Sequence, residues 1–235
     1  PYHNWDLAIA SSTGYDSDEI FNKIKSSATK VKNSSDGYER DSIIFYDKNY
    51  DQNLIKIFDN LDKNEKKMIN ILDFGGSLGS LYFKYKNKIN KKFIWSIIEQ
   101  KKFAEEGILN FQSQQLRFFY NLADYKNFFR ADLLILSSSL QYLKNYKQVL
   151  NELIKLDPKY IVILKTPFSF RLDDEIYIQK VSKNIYNASY PTWIFNYHNF
   201  INNFKINFEL ISKFSCEPFV YNIEYLNIFL KNKNV

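Results

Sequence analysis

The feature that most constrains the fold is a run of small residues, "ILDFGGSLGS", at positions 71–80. The chain of 235 residues has only 6 glycines, yet Gly75, Gly76 and Gly79 fall within five positions. The run follows an apolar stretch, 68–72, that is typical of a buried strand. A buried strand, a glycine-rich turn and a helix start form the layout of a nucleotide-binding crevice, because glycines let a ligand approach the backbone and the helix offers free N–H groups. The run therefore predicts a ligand-binding turn.

An acidic residue follows the glycine-rich turn at the spacing typical of a nucleotide-binding crevice. Glu99 stands 20 residues after Gly79, at the end of a predicted strand over 93–100. A carboxylate at this spacing can accept hydrogen bonds from ribose hydroxyls. We expect Glu99 to bind the ribose, and Gln100 and Phe103 to flank an adenine. The alternative is a solvated carboxylate at a strand end.

Three classes of ligand could use this turn. A P-loop needs Gly-Lys-Ser/Thr, which is absent. A dinucleotide site needs Gly-x-Gly-x-x-Gly, and Ser77 between Gly75 and Gly79 makes a poor match. An S-adenosylmethionine site starts with an acidic residue, here Asp73, and then has small residues at alternate positions. The donor-binding candidates are Asp73, Gly75, Gly76, Ser77 and Gly79; the alternative is a tight turn that binds nothing.

Strands and helices alternate along the middle of the chain, which is typical of a parallel sheet covered on both faces. Two further segments near the C-terminus, 207–216 and 221–231, predict an antiparallel pair. The predicted strands before them are 68–74, 93–100, 116–122, 131–140 and 160–168, and the predicted helices are 14–33, 49–64, 101–114 and 145–156. The segment 37–47 is expected to be a loop with a short extended piece.

We expect one domain with four parts, because no linker or repeat separates the chain. The parts are an N-terminal helical cap (1–66), a donor-binding core (67–168), an acceptor-side insertion (169–200) and a C-terminal strand pair (201–235).

Composition limits the partners. The net charge is +6 and the pI about 9.0, but the lysines are scattered, so we expect a solvated surface, or help for a phosphate-bearing substrate, before a nucleic-acid partner. No stretch has the roughly 20 apolar residues of a membrane span. Cys216 is the only cysteine, which excludes an internal disulfide and favours a reducing cytoplasm. No metal-ligand spacing is present, so no metal is expected, and the oligomeric state is left open.

Six segments occur in an order that resembles a family of class I S-adenosylmethionine-dependent methyltransferases associated with bacterial surface-polysaccharide gene clusters. They are "GYERDSIIF", "LDFGGSLGSLYF", "WSIIEQ", "LLILSSSLQYL", "TPF" and "SYPTWIF", and the resemblance covers about residues 14–230. It implies a Rossmann-like, mostly parallel sheet of seven strands with an antiparallel C-terminal strand, an N-terminal helical lid and an insertion after strand 5. It also implies S-adenosylmethionine as methyl donor, and leaves the acceptor open.

The end of the strand 131–140 supplies further candidates. Carboxyl ends of strands in an open α/β sheet face the ligand crevice. Ser137, Ser138 and Ser139 are expected to line the methionine part of the donor, and Gln141 and Tyr142 to face the reacting methyl group. The alternative is that the serines cap the next helix.

The segment "GYERD" (37–41) is a candidate lid over the donor. Arg40 would pair with the methionine carboxylate or with an anionic acceptor, since guanidinium suits both, and Tyr38 is a candidate acceptor contact. The alternative for Arg40 is a surface ion pair with Asp41 or Glu39.

The segment 169–200 carries the acceptor-side candidates. Tyr186, Tyr190 and Trp193 would form an aromatic wall, unless they only bury the insertion. His198 is the candidate general base, with a structural role as the alternative. Two further residues, Arg171 and Gln179, are candidates for binding a phosphate or a hydroxyl.

The function expected is methyl transfer to an oxygen of a small carbohydrate, phosphorylated or nucleotide-linked, in surface-polysaccharide biosynthesis. One alternative is a non-catalytic binding protein of the same fold inside a biosynthetic complex. Another is RNA or protein methylation, which the absence of an "NPPY"-type motif makes less favoured.

Overall fold

The computed structural model describes residues 1–14, 18–34, 37–46, 49–61, 68–182, 185, 188–217 and 222–234. The packing forms two compact units. The turn unit is Ser17–Ile135, and the C-terminal unit is Leu136–Val235 together with Pro1–Asp16. The four-part division expected from the sequence stays a prediction.

The described helices and strands alternate through most of the chain. The α-helices are α1 (Trp5–Ala10), α2 (Asp18–Ser34), α3 (Gln52–Leu61), α4 (Ser80–Tyr85), α5 (Lys101–Glu106), α6 (Leu122–Lys126), α7 (Tyr146–Ile154) and α8 (Tyr197–Asn202). The strands are β1 (Tyr38–Arg40), β2 (Ile43–Phe45), β3 (Ile69–Phe74), β4 (Phe93–Ile98), β5 (Leu116–Phe119), β6 (Leu133–Ser137), β7 (Tyr160–Ser169), β8 (Glu175–Lys180), β9 (Ser189–Asn196), β10 (Phe208–Ser215) and β11 (Glu224–Asn232). Short 3-10 helices lie at Lys86–Lys88 and Leu140–Tyr142, and a π-helix lies at Gly107–Phe111.

The turn unit is built on a parallel sheet in the order β6-β3-β4-β5. β3 pairs with β4 from Ile69↔Phe93 to Phe74↔Ile98, and β4 pairs with β5 from Trp95↔Leu116 onward. These strands are apolar on both faces and almost wholly buried, as parallel strands between helices must be. The predicted mostly parallel α/β sheet is confirmed in this unit.

The segment 37–47, expected to be mainly a loop, contains a β-hairpin. β1 and β2 pair antiparallel from Tyr38↔Phe45 to Arg40↔Ile43. The two residues between the strands, Asp41 and Ser42, have φ angles of 51° and 64°. Such a two-residue turn at positive φ matches the twist of the strands it joins. The expected N-terminal cap is therefore not entirely helical.

The C-terminal unit has the strand order β10-β11-β7. β7 and β11 pair antiparallel, as do β10 and β11, so the predicted antiparallel pair near the C-terminus is present. The predicted strand over 131–140 is shorter in the structure, because β6 ends at Ser137 and a 3-10 helix begins at Leu140.

The segment 169–200 contains two of the strands, and its role as an acceptor-side insertion stays a prediction. β8 and β9 form an antiparallel hairpin, Glu175↔Ile194 to Lys180↔Ser189, and β9 then joins β7 in parallel at Phe168↔Phe195. The hairpin therefore adds strands to the sheet, and the expected count of seven is too low. Ile176 of the hairpin is buried against Trp5 and Ala8 of α1, and Ile178 and Trp193 are partly buried beside it. None of the described helices is both long enough and apolar enough to cross a membrane.

Candidate functional site

The glycine run forms the connection between β3 and α4 in the turn unit. Three of its residues take left-handed backbone conformations: Gly75 at φ 76°, Ser77 at φ 53° and Gly79 at φ 98°. The Gly75 N–H donates to the Ile98 carbonyl at 2.9 Å, which attaches the turn to the end of β4. A non-glycine residue at positive φ is uncommon, so Ser77 marks a conformation that the surrounding contacts impose.

Asp73 lies under the turn and is fully buried. Its Oδ2 accepts a hydrogen bond from Trp95 Nε1 at 3.1 Å, and its Oδ1 has no partner among the described residues. A Cβ at Gly76 would lie 2.6 Å from Asp73 Oδ2. The absence of a side chain at Gly76 therefore makes room for the Asp73 carboxyl group. The sequence had instead suggested that a ligand needed this space. Burial raises the pKa of Asp73 to about 7; the Trp95 bond opposes this rise and the Glu99 charge adds to it.

Glu99 follows β4 and its carboxylate bonds the turn, while its role towards a ribose stays a prediction. Its Oε1 accepts from the Ser77 N–H at 3.1 Å, and its Oε2 accepts from the Gln100 N–H at 2.7 Å. Burial raises the pKa of the Glu99 carboxyl. A carboxylate has about four lone-pair positions, so each oxygen keeps one for a further donor. The half-buried Glu99 can therefore bind the turn and accept from hydroxyl groups of a ligand.

These residues fit an adenosyl amino acid. The turn brings backbone N–H groups, a half-buried carboxylate and the unpartnered Asp73 Oδ1 together within one unit. Gln100 is exposed and precedes α5, while Phe103 is buried against Phe21, with ring centroids 5.1 Å apart. Because Phe103 is packed in this way, only Gln100 of that pair is open to an adenine.

Arg40 and Tyr38 lie on the β1–β2 hairpin. The Arg40 guanidinium stands 5.1 Å from the Phe45 ring centroid, and its Nε is 3.9 Å from an Asp41 carboxylate oxygen. Tyr38 stacks on Phe45 at 5.4 Å, and the Lys84 ammonium lies 4.4 Å from the Tyr38 ring centroid. The surface ion pair that was the alternative for Arg40 is thus present, while its role towards a ligand stays a prediction.

Glu39, which the sequence analysis named only as a possible ion-pair partner of Arg40, is buried, with 3% of its surface exposed. It accepts hydrogen bonds from Ser80 Oγ at 2.7 Å and from the Ser42 N–H at 2.8 Å. The signal in the sequence is the two-residue period of a strand, which turns Glu39 to the face opposite Tyr38 and Arg40. That signal was usable only after the segment was known to be a strand.

In the C-terminal unit, Ser137 ends β6, and Ser138 and Ser139 follow it. Ser138 has φ 48°; its N–H donates to the Leu164 carbonyl and its Oγ to the Lys165 carbonyl, both at 3.0 Å. Ser139 precedes the 3-10 helix at Leu140–Tyr142 without a capping side-chain bond. Its buried Oγ has no partner among the residues described. The capping alternative is therefore not observed for Ser139, and the donor role of Ser137, Ser138 and Ser139 stays a prediction.

Tyr142, Gln179 and Tyr190 form what we call the amide–tyrosine cluster, and Gln141 precedes Tyr142 in the chain. The Tyr142 hydroxyl donates to Gln179 Oε1 at 3.0 Å, and the Tyr142 ring meets the Tyr190 ring edge-on at 5.1 Å. Gln141 is 1% exposed, and its Oε1 has no partner in the described part of the chain. The structure thus brings together three residues, Tyr142, Gln179 and Tyr190, that the sequence analysis had assigned to separate roles.

Trp193 packs inside the unit. Its ring stacks on Trp5 of α1 with centroids 5.5 Å apart, and its Nε1 donates to the Leu143 carbonyl at 3.0 Å. These contacts favour the alternative in which Trp193 buries the β8–β9 hairpin. Trp5 was missed because nothing local links it to residue 193. The third residue of the expected aromatic wall, Tyr186, lies outside the described residues.

Arg171 and His198 lie at the surface. Arg171 donates to both carboxylate oxygens of Glu175 at 2.8 and 2.9 Å, so its charge is already paired. His198 is exposed on α8 and contacts the rings of Phe170 and Tyr197, at 5.9 and 5.5 Å. Within the described ranges there is no group of three or more His, Cys, Asp or Glu side chains that could hold a metal ion.

Solved structures share this fold. The N-terminal domain of EvdMO1, in a crystal structure with SAH bound, matches 90% of this chain and 97% of that chain with a TM-score of 0.54 and 9% identity. The same domain, crystallised in the presence of SAH and D-fucose, matches 92% and 98% with a TM-score of 0.52 and 9% identity. A SAM-dependent methyltransferase from Methanosarcina mazei matches 72% and 95% with a TM-score of 0.50 and 12% identity.

The sequence itself has no comparable match. No protein-family model matches the chain, and no curated protein matches it. The likeness is one of tertiary structure: the chain shares a mixed α/β fold with these solved structures.

Proposed function

We propose that this protein is an S-adenosylmethionine-dependent O-methyltransferase that acts on a small carbohydrate, phosphorylated or nucleotide-linked, in surface-polysaccharide biosynthesis. The observation that carries the proposal is the contact of Glu99 Oε1 with the Ser77 N–H at 3.1 Å. It unites a left-handed turn after a buried strand with the carboxylate at the end of the neighbouring parallel strand. That combination is suited to the hydroxyls of an adenosine ribose.

On this proposal the turn unit holds the donor. Glu99 accepts from the ribose hydroxyls, Gln100 lies beside the adenine, and the turn over Gly75–Gly79 supplies backbone N–H groups. Asp73 supports the turn from below, and Arg40 pairs with the methionine carboxylate. The bound donor supplies a methyl group already activated by its sulfonium charge. The protein then has to align the acceptor and exclude water.

The amide–tyrosine cluster is proposed to bind the acceptor. The Tyr142 hydroxyl, which donates to Gln179 Oε1, is proposed to bind an acceptor hydroxyl, since a phenolic oxygen can accept as well as donate. The buried Gln141 amide oxygen, which lacks a described partner, suits a second hydroxyl. Tyr190 offers a ring face to a sugar. A polyhydroxylated acceptor satisfies all three groups.

Two surface residues have weaker support. His198 would serve as base only for a neutral acceptor, and an acceptor that is already anionic would need no base. Arg171 would have to exchange Glu175 for a phosphate. The sugar class is the first to test, since one of the solved structures that share the fold was obtained in the presence of D-fucose.

Donor binding is tested by isothermal titration calorimetry with S-adenosylhomocysteine. The wild type should bind, and Glu99→Gln should bind about tenfold more weakly, because an amide loses one acceptor oxygen for the ribose. The matched control is Glu105→Gln, an exposed carboxylate on α5, which should leave the affinity unchanged. Absence of binding by the wild type would reject the proposal.

Acceptor chemistry is tested with methyl-labelled S-adenosylmethionine and a panel of sugar phosphates and nucleotide sugars. Label should pass to one of them, and Tyr142→Phe should lower the rate while leaving the donor affinity intact. Tyr120→Phe, which removes the hydroxyl of a 46% exposed tyrosine, is the control. If the protein binds the donor tightly but transfers no labelled methyl group to any compound in extracts that contain the pathway's intermediates, the non-catalytic binding protein is favoured instead.

A further inference from the structure

Glu39 joins two separate segments of the turn unit. The carboxyl is buried, with 3% of the residue exposed. Its Oε1 accepts from the Ser42 N–H at 2.8 Å, inside its own hairpin, and its Oε2 accepts from Ser80 Oγ at 2.7 Å, on α4. A buried carboxyl is unfavourable unless it is hydrogen-bonded, so its place here depends on both bonds.

The hairpin end of this link is strained. Asp41 and Ser42 both take positive φ although neither is glycine. Residues in this region persist only where the surroundings hold them. Ser42 is held on one side by Glu39 and on the other by Ser27 Oγ of α2, which donates to the Ser42 carbonyl at 2.6 Å. The turn conformation and the Glu39 position therefore support each other.

The α4 end of the link lies next to the glycine turn. Ser80 is the first residue of α4 and follows Gly79, which has φ 98° and no side chain that could cap the helix. A Cβ at Gly79 would meet Phe83 at 3.3 Å and Leu116 at 3.4 Å, so the backbone is closely packed there. A shift of Ser80 would therefore be transmitted to Gly79 and to the turn.

We propose that Glu39 is a positioning residue which, through Ser80, holds the glycine turn in the conformation that binds S-adenosylmethionine. The proposal rests on the function proposed above, because the turn must be a donor site for the link to matter. Glu39 acts on the donor only through Ser80 and Gly79.

The protonation state of Glu39 does not decide the link. Burial raises the pKa of Glu39 to about 7; hydrogen bonds from Ser80 and Ser42 oppose this rise, and the neighbouring charges are Asp41 and Arg40. A hydroxyl can donate or accept, so Ser80 can bind either form of the carboxyl. An amide at this position can also accept from the Ser42 N–H and bond Ser80. Glu39→Gln should therefore preserve the link, and Glu39→Ala should not.

The test is the affinity for S-adenosylhomocysteine, measured by calorimetry on the full chain. Glu39→Ala and Ser80→Ala should each weaken binding about tenfold, and the double variant should be no weaker than Glu39→Ala, because both remove one link. Glu39→Gln should stay within about twofold of the wild type. The control is Ser27→Ala, which loosens the same hairpin from α2 but spares α4; it should also stay within about twofold.

Three results would overturn the proposal: Glu39→Ala binding like the wild type, losses that multiply in the double variant, or Ser27→Ala weakening binding as much as Glu39→Ala. Thermal unfolding of each variant shows that it is folded, and Ser80→Ala with Glu39→Gln carries the comparison should Glu39→Ala not fold. Wild type that fails to bind would reject the donor site and this link together. Wild type that binds, with unaffected variants, would reject the link alone.

Discussion

Asp73 and Trp95 form a hydrogen-bonded pair inside the turn unit, and each limits what the other position can hold. Both are fully buried. The indole N–H is the described donor to the Asp73 carboxyl, and the Trp95 ring also packs at 6.3 Å from Phe58 and 6.1 Å from Tyr82. The buried carboxyl therefore depends on a residue 22 positions later, on the neighbouring strand.

Trp95→Phe should destabilise the protein by about 2–4 kcal/mol, because it leaves a cavity and removes the hydrogen bond to a buried carboxyl. Urea unfolding followed by circular dichroism measures this change. In an Asp73→Ala background the same substitution should cost less, since no carboxyl is left without its donor. Equal costs in the two backgrounds would show that the ring alone matters.

The connection from β3 to α4 is shaped by contacts within the turn unit. Gly76 leaves room for the Asp73 carboxyl, while Gly75 and Gly79 supply left-handed backbone. From the sequence motif, every glycine could serve to bring a ligand close to the backbone. In the structure, Gly76 makes room for the Asp73 carboxyl, and the other two glycines allow the left-handed backbone. A ligand role is thus concentrated in the backbone N–H groups and in Glu99.

Gly76→Ala should destabilise the protein by about 1–3 kcal/mol, because its Cβ would overlap the Asp73 carboxylate and the turn would have to move. The cost should fall markedly when Asp73→Ala is already present, and thermal unfolding of the four proteins in this cycle measures it. A cost that is the same in both backgrounds would contradict the structural role assigned to Gly76.

The π-helix at Gly107–Phe111 is a second element that depends on one glycine. A Cβ at Gly107 would lie 2.3 Å from the Phe118 ring of β5. Gly107→Ala should therefore destabilise the protein by about 1–3 kcal/mol, as measured by urea unfolding. Phe118→Leu in the same chain should recover part of the loss by making space. If Phe118→Leu restores no stability, the Phe118 ring is not what excludes a side chain at Gly107.

At the scale of the whole molecule, stability depends on how many protons the folded chain holds. The carboxyls of Asp73 and Glu39 are buried, and burial raises each pKa to about 7 from ordinary values of 3.8 and 4.5. At pH values between the ordinary pKa and the raised pKa, the folded protein keeps a proton on each carboxyl that the unfolded chain has released. The free energy of unfolding should therefore fall as the pH rises from about 4.5 to about 7.

Urea unfolding at pH values across this range measures that slope. Asp73→Asn cannot release a proton, so it should flatten the profile, and the part lost is on the order of 3 kcal/mol between pH 4.5 and pH 7. Asp6→Asn, an exposed carboxylate paired with Lys144, should leave the slope unchanged. A wild-type profile that rises from pH 5 to pH 7 would contradict the burial of these carboxyls.

Local pattern was enough to predict β3 to β7, the glycine turn, Glu99 at the end of β4 and the antiparallel pair near the C-terminus, but not β8 and β9. Hydrophobic runs and turn residues act over short distances, so they are readable from the sequence. The β1–β2 hairpin was missed because Asp41 and Ser42 lack the glycine that usually marks a two-residue turn.

Long-range contacts were decided only by the tertiary structure. The sequence by itself determined that a carboxylate precedes a glycine-rich turn. Only the tertiary structure decided that the absence of a side chain at Gly76 makes room for Asp73. It also decided that Trp95 donates to this carboxyl and that Glu39 accepts from Ser80. The physical reason is that burial and hydrogen bonding join residues 22 to 41 positions apart. No local periodicity carries that information.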